Sequence, residues 1–297
     1  MELRDFPAFR MTDAARFGLT RWHVERAVQA GALVQLGVGV VAGARSMTAD
    51  PVLAHIQRVR AAHLRTHGLT AASHGSAALI HGLSRLGRPS GRVRLTCDRG
   101  RGRYRRLDID ARLHVAGLPI EHVIFVHGVP VTTPARTVVD LSRTVSFRGG
   151  VVLADSALRA GTTQEDLRAV LGYCRRWPGR RRAVAVAEFA SGLAESPLES
   201  VSRVLFAEGG LPTPELQASI FDGTTYVARV DFRWGRVIGE ADGMVKYDDP
   251  TALRREKVRQ MALEDLGFEV VRWTWDELWR TADIVLRRVE RALARAA

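Results

Sequence analysis

Apolar and polar residues alternate along Val227-Ala228-Arg229-Val230-Asp231-Phe232-Arg233-Trp234, and a second β-rich run follows from Val237 to Asp242. A period of two marks a strand whose successive side chains face opposite ways. Gly235 stands between the two runs, which therefore read as a hairpin. Glu240 and Asp242, two positions apart, share one face. With the hairpin in register, Asp231 joins that face from the neighbouring strand.

Upstream, the 10–45 pattern predicts a compact helical and hairpin module. Thr12 can cap a short helix from Asp13 to Phe17, and Gly18-Leu19 supplies a turn. Thr20 caps a second helix from Arg21, which Gly31 ends. Leu33 to Leu36 and Val38 to Val41 form a hairpin turning at Gly37. This is the order of a winged helix-turn-helix. Val24, Ala27 and Val28 fall on one face of the second helix, while Arg21, Arg26 and Gln29 face outward, where base edges and phosphates need donors. A helical hairpin with a solvated charged face has the same pattern.

A helix is expected from Pro51 to about His67, and another over 70–82 with Thr70 as its cap. Val93 to Cys97 reads as a strand, and strands recur near His122 to Val126 and Val129 to Val131. Thr133-Pro134 opens a helix, and further helices are expected at 151–160, 163–173 and 181–191. Ser196-Pro197-Leu198-Glu199 is a capping box at the start of the next helix, with Glu199 reaching back. A strand near Gln217 to Phe221 precedes the hairpin. A helix over 251–266, a strand from Phe268 to Trp273 and a last helix after the capping box Thr274-Trp275-Asp276-Glu277 complete the chain. The expected class is α+β and multidomain. It comprises a winged helix-turn-helix over 1–48, a mixed α/β middle region with a helical connector over 49–194, and an α/β sandwich over 195–297.

Composition narrows the class. The 297 residues are 46% hydrophobic and 26% charged, as in an ordinary globular protein. No apolar run reaches membrane-spanning length, and the N-terminus lacks a signal-peptide layout, so a cytoplasmic protein is expected. Two cysteines, Cys97 and Cys174, are too few for a disulfide framework.

The net charge of +12 is uneven. Residues 1–194 carry 29 Lys/Arg against 14 Asp/Glu, a balance of +15, and residues 195–297 carry 15 against 18, a balance of −3. A basic front half suits a polyanionic partner such as duplex DNA. Arg101, Arg103 and Arg105, interleaved with glycines and Tyr104 after the strand at 93–97, suit a phosphate-gripping loop. Eight of the nine histidines lie between His55 and His127, but no His-Glu-x-x-His pattern accompanies them, which favours hydrogen-bonded histidines over a zinc site.

Asp231, Glu240 and Asp242 carry the candidate chemistry. Carboxylates sharing a face repel one another and are costly to bury without a neutralising cation. Mg²⁺, or Mn²⁺ in its place, takes oxygen ligands and would neutralise them. Two exposed strands with solvated carboxylates fit the same spacing.

Several motifs together resemble known families. Glu195-Ser196-Pro197-Leu198-Glu199-Ser200, Val230-Asp231-Phe232, Glu240-Ala241-Asp242-Gly243 and Val271-Arg272-Trp273-Thr274-Trp275 resemble the very-short-patch-repair-endonuclease-like domain of unknown function. That domain is a branch of the PD-(D/E)XK restriction-endonuclease superfamily. The front two thirds, through Ser73-His74-Gly75-Ser76-Ala77-Ala78-Leu79-Ile80-His81-Gly82-Leu83 and Gly128-Val129-Pro130-Val131-Thr132-Thr133-Pro134, resemble AbiEi-type abortive-infection antitoxins. The first resemblance implies a restriction-endonuclease-like sandwich, with Asp231 and Glu240 as metal ligands and Glu199 as the first-helix carboxylate. The superfamily then places lysine where this chain has Asp242, which leaves Lys246 or Lys257 for that role.

Two functions fit these features. One is metal-dependent hydrolysis of DNA phosphodiesters by Asp231, Glu240, Asp242, Lys246 and Glu199. The other is a transcriptional repressor or type IV antitoxin that answers a cognate toxin. Its nuclease-like domain would be inactive and would serve homodimerisation or partner contact. Binding of duplex DNA is common to both.

Overall fold

A computed structural model describes residues 2–48, 50–66, 69–87, 90–98, 109–243 and 250–297, with side chains of 250–256 excepted. The chain is mixed α/β and divides into two compact units. The first comprises residues 1–145 and 162–183, and the second residues 146–161 and 184–297. The helical stretch expected as a connector is thus shared between them.

In the first unit a 3-10 run, Met11–Phe17, takes the place of the short helix expected from Asp13 to Phe17. Gly18 ends it at φ 70°, a left-handed conformation that glycine adopts without a Cβ clash. Helix Arg21–Gln29 is held at its start by a reciprocal cap. The Thr20 hydroxyl accepts from His23 N, and His23 Nδ1 accepts from Thr20 N. The strands Leu33–Gly37 and Val40–Gly43 pair antiparallel, and Phe9–Arg10 pairs on the outer side of Val40–Gly43. The hairpin turns at Val38-Gly39 rather than Gly37, because Gly39 takes the positive φ that the turn needs. Phe6, Phe9, Val24, Ala27, Leu33 and Val41 form the core of this module.

Helix Pro51–Leu64 is capped by Asp50, whose carboxylate accepts from Val52 N and Leu53 N. A five-stranded sheet follows, in the order Ala111–Val115, Val93–Cys97, Thr70–Ala72, Val129–Thr132, Val123–Val126. Thr70 is not a helix cap. It begins a buried central strand, and the helix is the shorter His74–Ile80. Three small residues, Thr70, Ala71 and Ala72, give no periodic signal of their own; pairing with both neighbouring strands decides their conformation. The strand Ala111–Val115 has no counterpart among the sequence expectations. Helix Pro134–Ser142 does begin at Thr133, which accepts from Arg136 N.

The second unit is built on a four-stranded sheet in the order Glu269–Thr274, Val237–Asp242, Thr225–Trp234, Glu215–Asp222. The first pair is parallel and the others antiparallel. Phe206 from helix Pro197–Glu208 meets Phe232, Trp234 and Trp273 edge-on at 5.2–5.5 Å between ring centres. Trp273 is fully buried, and its indole N–H donates to Ser202 Oγ at 2.7 Å, as a buried indole requires. Gly239 makes room for it, since a Cβ there would stand 2.6 Å from the Trp273 ring. The last helix of the sequence reading is two helices, Trp275–Arg280 and Ala282–Ala296.

Candidate nucleic-acid interface and carboxylate cluster

On helix Arg21–Gln29 the apolar stripe does what its spacing dictates: Val24 and Ala27 are buried, and Arg21, Arg26 and Gln29 are exposed. The Arg21 side chain, 83% accessible, pairs with Glu25 at 2.7 Å. Arg26 lies over the indole of Trp22, 5.0 Å from the ring centre, and Trp22 is itself 59% exposed. The sequence reading missed this exposed tryptophan under an arginine; its position beside the two arginines on the outward face is the signal. Arg101, Arg103 and Arg105 lie outside the described residues.

The hairpin of the second unit forms as expected. Phe232 faces Gly239, and continuing that register sets Asp231 opposite Glu240. Asp231 Oδ2 accepts from Ala241 N at 2.9 Å, and Oδ1 accepts from Gln217 Nε2 at 3.3 Å. The same amide donates to Glu199 Oε2 at 2.9 Å, which also accepts from Glu195 N at 2.7 Å. Glu199 therefore reaches one residue beyond the cap position, and Gln217 bridges it to Asp231. Gln217 holds φ 51°, an uncommon conformation for a side chain of this kind, within strand Glu215–Asp222. Glu240 Oε1 accepts from Arg259 at 3.1 Å.

Burial raises the proton affinity of all three carboxylates. Glu240 is pushed up to about 7, with Arg259 opposing and Asp231 adding to the effect. Asp231 is raised by burial and held back by Ala241 N–H and Gln217. Glu199 is likewise raised by burial, against its hydrogen bond from Glu195.

The grouping differs from the expected one. Asp242 stands with Arg272, 3.6 Å away, while Glu199, Asp231 and Glu240 are the carboxylates that interact. Among the described residues, no three His, Cys, Asp or Glu side chains are gathered as an ion's ligands would be. Asp231, Glu240 and Asp242 therefore do not fit a shared metal in this arrangement. A guanidinium, a side-chain amide and backbone N–H groups hydrogen-bond these carboxylates instead. Lys246 lies outside the described residues, and Lys257 is exposed. Arg259, two positions on, reaches the cluster at Glu240.

Residues 64–186 match the family model of the AbiEi antitoxin C-terminal domain. The matched segment takes in the five-stranded sheet and helices that follow it, and it ends before the carboxylate cluster. The uncharacterized proteins MT2308 and Rv2248 of two Mycobacterium tuberculosis strains are each 33% identical over 171 residues, which cover 56% of this chain and 62% of theirs. Among solved structures, that of the RV2827C protein from Mycobacterium tuberculosis aligns with 73% of this chain and 84% of its own, at 16% identity and a TM-score of 0.43. Histidines in and beside the AbiEi-type segment are hydrogen-bonded: His55 with Ser76, His63 with Thr70, and His81 with the Thr132 carbonyl. No helix among the described residues is long and apolar enough to cross a membrane.

Proposed function

We propose that this chain is a DNA-binding regulator of the AbiEi antitoxin type, whose second unit keeps a nuclease-like arrangement of carboxylates without hydrolysing DNA. The match of residues 64–186 carries this reading. The N-terminal module supports it, acting as a winged helix-turn-helix that presents Arg21, Trp22, Arg26 and Gln29 to a duplex. The +15 balance of residues 1–194 supplies the phosphate attraction. In the second unit Arg259 holds Glu240, and Gln217 with backbone N–H groups holds Asp231 and Glu199. These carboxylates are already satisfied, so the unit serves contact with a partner, a cognate toxin in an antitoxin system.

The test is a gel-shift titration of the full chain on the promoter of its own gene against a scrambled duplex, beside supercoiled plasmid incubated with Mg²⁺ or Mn²⁺. Preferential retention of the promoter with intact plasmid is the expected outcome. Equal binding of both duplexes would sink the regulator reading. Metal-dependent nicking lost in Asp231→Ala would restore hydrolysis as the function.

A further inference from the structure

A cavity of about 700 Å³ opens in the first unit between strands Val93–Cys97 and Ala111–Val115, helix Pro134–Ser142 and the Trp177 turn. Its walls carry Arg94, Arg112, Arg136, Arg143 and Arg176 against one carboxylate among the described residues, Asp140. That carboxylate is already committed. One oxygen pairs with Arg136 at 2.9 Å and the other with Arg143 at 3.5 Å. Arg94, Arg112 and Arg176 have no carboxylate partner among the described residues. Arg136 is fully buried, whereas Arg112 and Arg176 are exposed at the mouth.

Three buried polar atoms on lining side chains have no hydrogen-bond partner among the described residues: Arg136 Nη2, His114 Nε2 and Thr96 Oγ1. An unsatisfied buried polar group is destabilising, and more so when it is charged. Three in one cavity mark a place that the described residues leave open to an acceptor. Because a guanidinium only donates, the missing partner must accept. The arginines are also held ready. Arg136 and Arg143 stack on the Trp177 ring at 4.5 and 4.8 Å, so little side-chain freedom is lost when a ligand arrives. His74 and His114 stack on each other at 3.9 Å, and His74 keeps a strained φ of 50°. Burial, with the surrounding arginines, pushes the two rings down to about 3 and about 4, the direction that a nearby bound anion would oppose.

We propose that this cavity binds a small molecule bearing two or more phosphate groups. Arg94, Arg136 and Arg143 take the phosphate oxygens, and Arg112 and Arg176 guide the ligand at the entrance. Planar guanidinium groups match phosphate in paired hydrogen bonds, and the volume is that of a small-molecule site. The site gives the chain a ligand distinct from DNA, and it stands or falls independently of the winged-helix reading.

The experiment is calorimetric titration and thermal unfolding of the full chain with pyrophosphate and with ATP, using sodium sulfate of equal ionic strength as control. Saturable binding and an unfolding temperature that rises with the logarithm of ligand concentration are expected, and sulfate should give less. Arg94→Gln with Arg112→Gln should weaken binding tenfold or more; Arg112→Gln alone, at an exposed position, serves if the pair fails to fold. Bound ligand should also raise the proton affinity of His114, read from its imidazole resonances. Stabilisation no greater than sulfate gives, or undiminished binding by the variants, overturns the proposal. If neither pyrophosphate nor ATP binds while the variants lose affinity for duplex DNA, the arginines hold a backbone phosphate, and the proposal is equally overturned.

Discussion

Arg136 and Asp140 in the first unit are as thoroughly buried as Glu199 and Glu240 in the second, yet the two clusters are completed differently. Around Glu240, Asp231 and Glu199, the chain supplies Arg259, the Gln217 amide and two backbone N–H groups. Around Arg136 the chain supplies Asp140, the Gly117 carbonyl and His122, but it leaves Nη2 with nothing. A buried charge that is internally satisfied serves the fold. One left with spare donors beside a cavity is arranged for something else. The polarity of the excess differs as well: cationic in the first unit, anionic and partly protonated in the second. The carboxylates that the sequence singles out are hydrogen-bonded within the chain, and the cavity proposed to bind phosphates lies in the histidine-rich region.

The largest expected effect breaks the first cluster. Asp140→Ala strands Arg136 without its ion pair in a buried place, which costs about 3–5 kcal/mol. Denaturant unfolding followed by exchange protection of the Leu95 and Val131 amides would record it. A loss below about 1 kcal/mol would mean that Arg136 finds another partner, and the contrast between the clusters would fail.

Next comes pH, which should act on the two units in opposite directions. Glu240 ionises at about 7 in the folded chain against an ordinary value of 4.5, so between these the folded state holds a proton that the unfolded state has lost. Stability of the second unit therefore falls as pH rises through that window. Glu240→Gln should flatten the slope and add on the order of 3 kcal/mol at pH 8, while changing little at pH 5. In the first unit His55 and His114 are held down to about 4 by burial. There the unfolded state takes up protons that the folded state refuses, and stability falls as pH drops from 6.5 towards 4. Exchange protection at Ile238 and at Leu95, followed across pH 4–8, reads the two slopes separately. Slopes of the same sign would refute the assignment.

A smaller effect is expected at the proposed DNA face. Arg21→Ala or Arg26→Ala should cost about 1–3 kcal/mol and relax sequence preference if the side chain reads a base. A phosphate contact would instead lower the salt slope by about one. Gel shifts on matched and scrambled duplexes over a salt series distinguish these cases, and unchanged binding in both variants would place the interface elsewhere. The smallest change concerns Ser196, whose hydroxyl accepts from Glu199 N at 3.1 Å. Ser196→Ala should cost about 1 kcal/mol of second-unit stability, since Glu199 keeps its bonds to Glu195 and Gln217. A loss several times larger would show that the cap positions the whole carboxylate cluster.

Local chemistry was enough wherever neighbours in sequence decide the structure. Thr20, Asp50, Thr133, Ser196 and Thr274 cap the helices they precede because a short side-chain oxygen meets an amide two or three residues on. The hairpin about Gly235 and the buried stripe of Val24 and Ala27 follow from periodicity in the same way. Tertiary structure alone decided the rest. The strand Thr70–Ala72 exists because two partners flank it, and Asp242 meets Arg272 across the parallel pairing of two strands. Arg259 arrives at Glu240 from a helix nineteen residues away, and Arg94, Arg136 and Arg176 share one cavity across more than eighty. Spacing along a chain determines which face a side chain takes on its own element. It carries no information about which distant charge will meet that face, because the choice is made by packing.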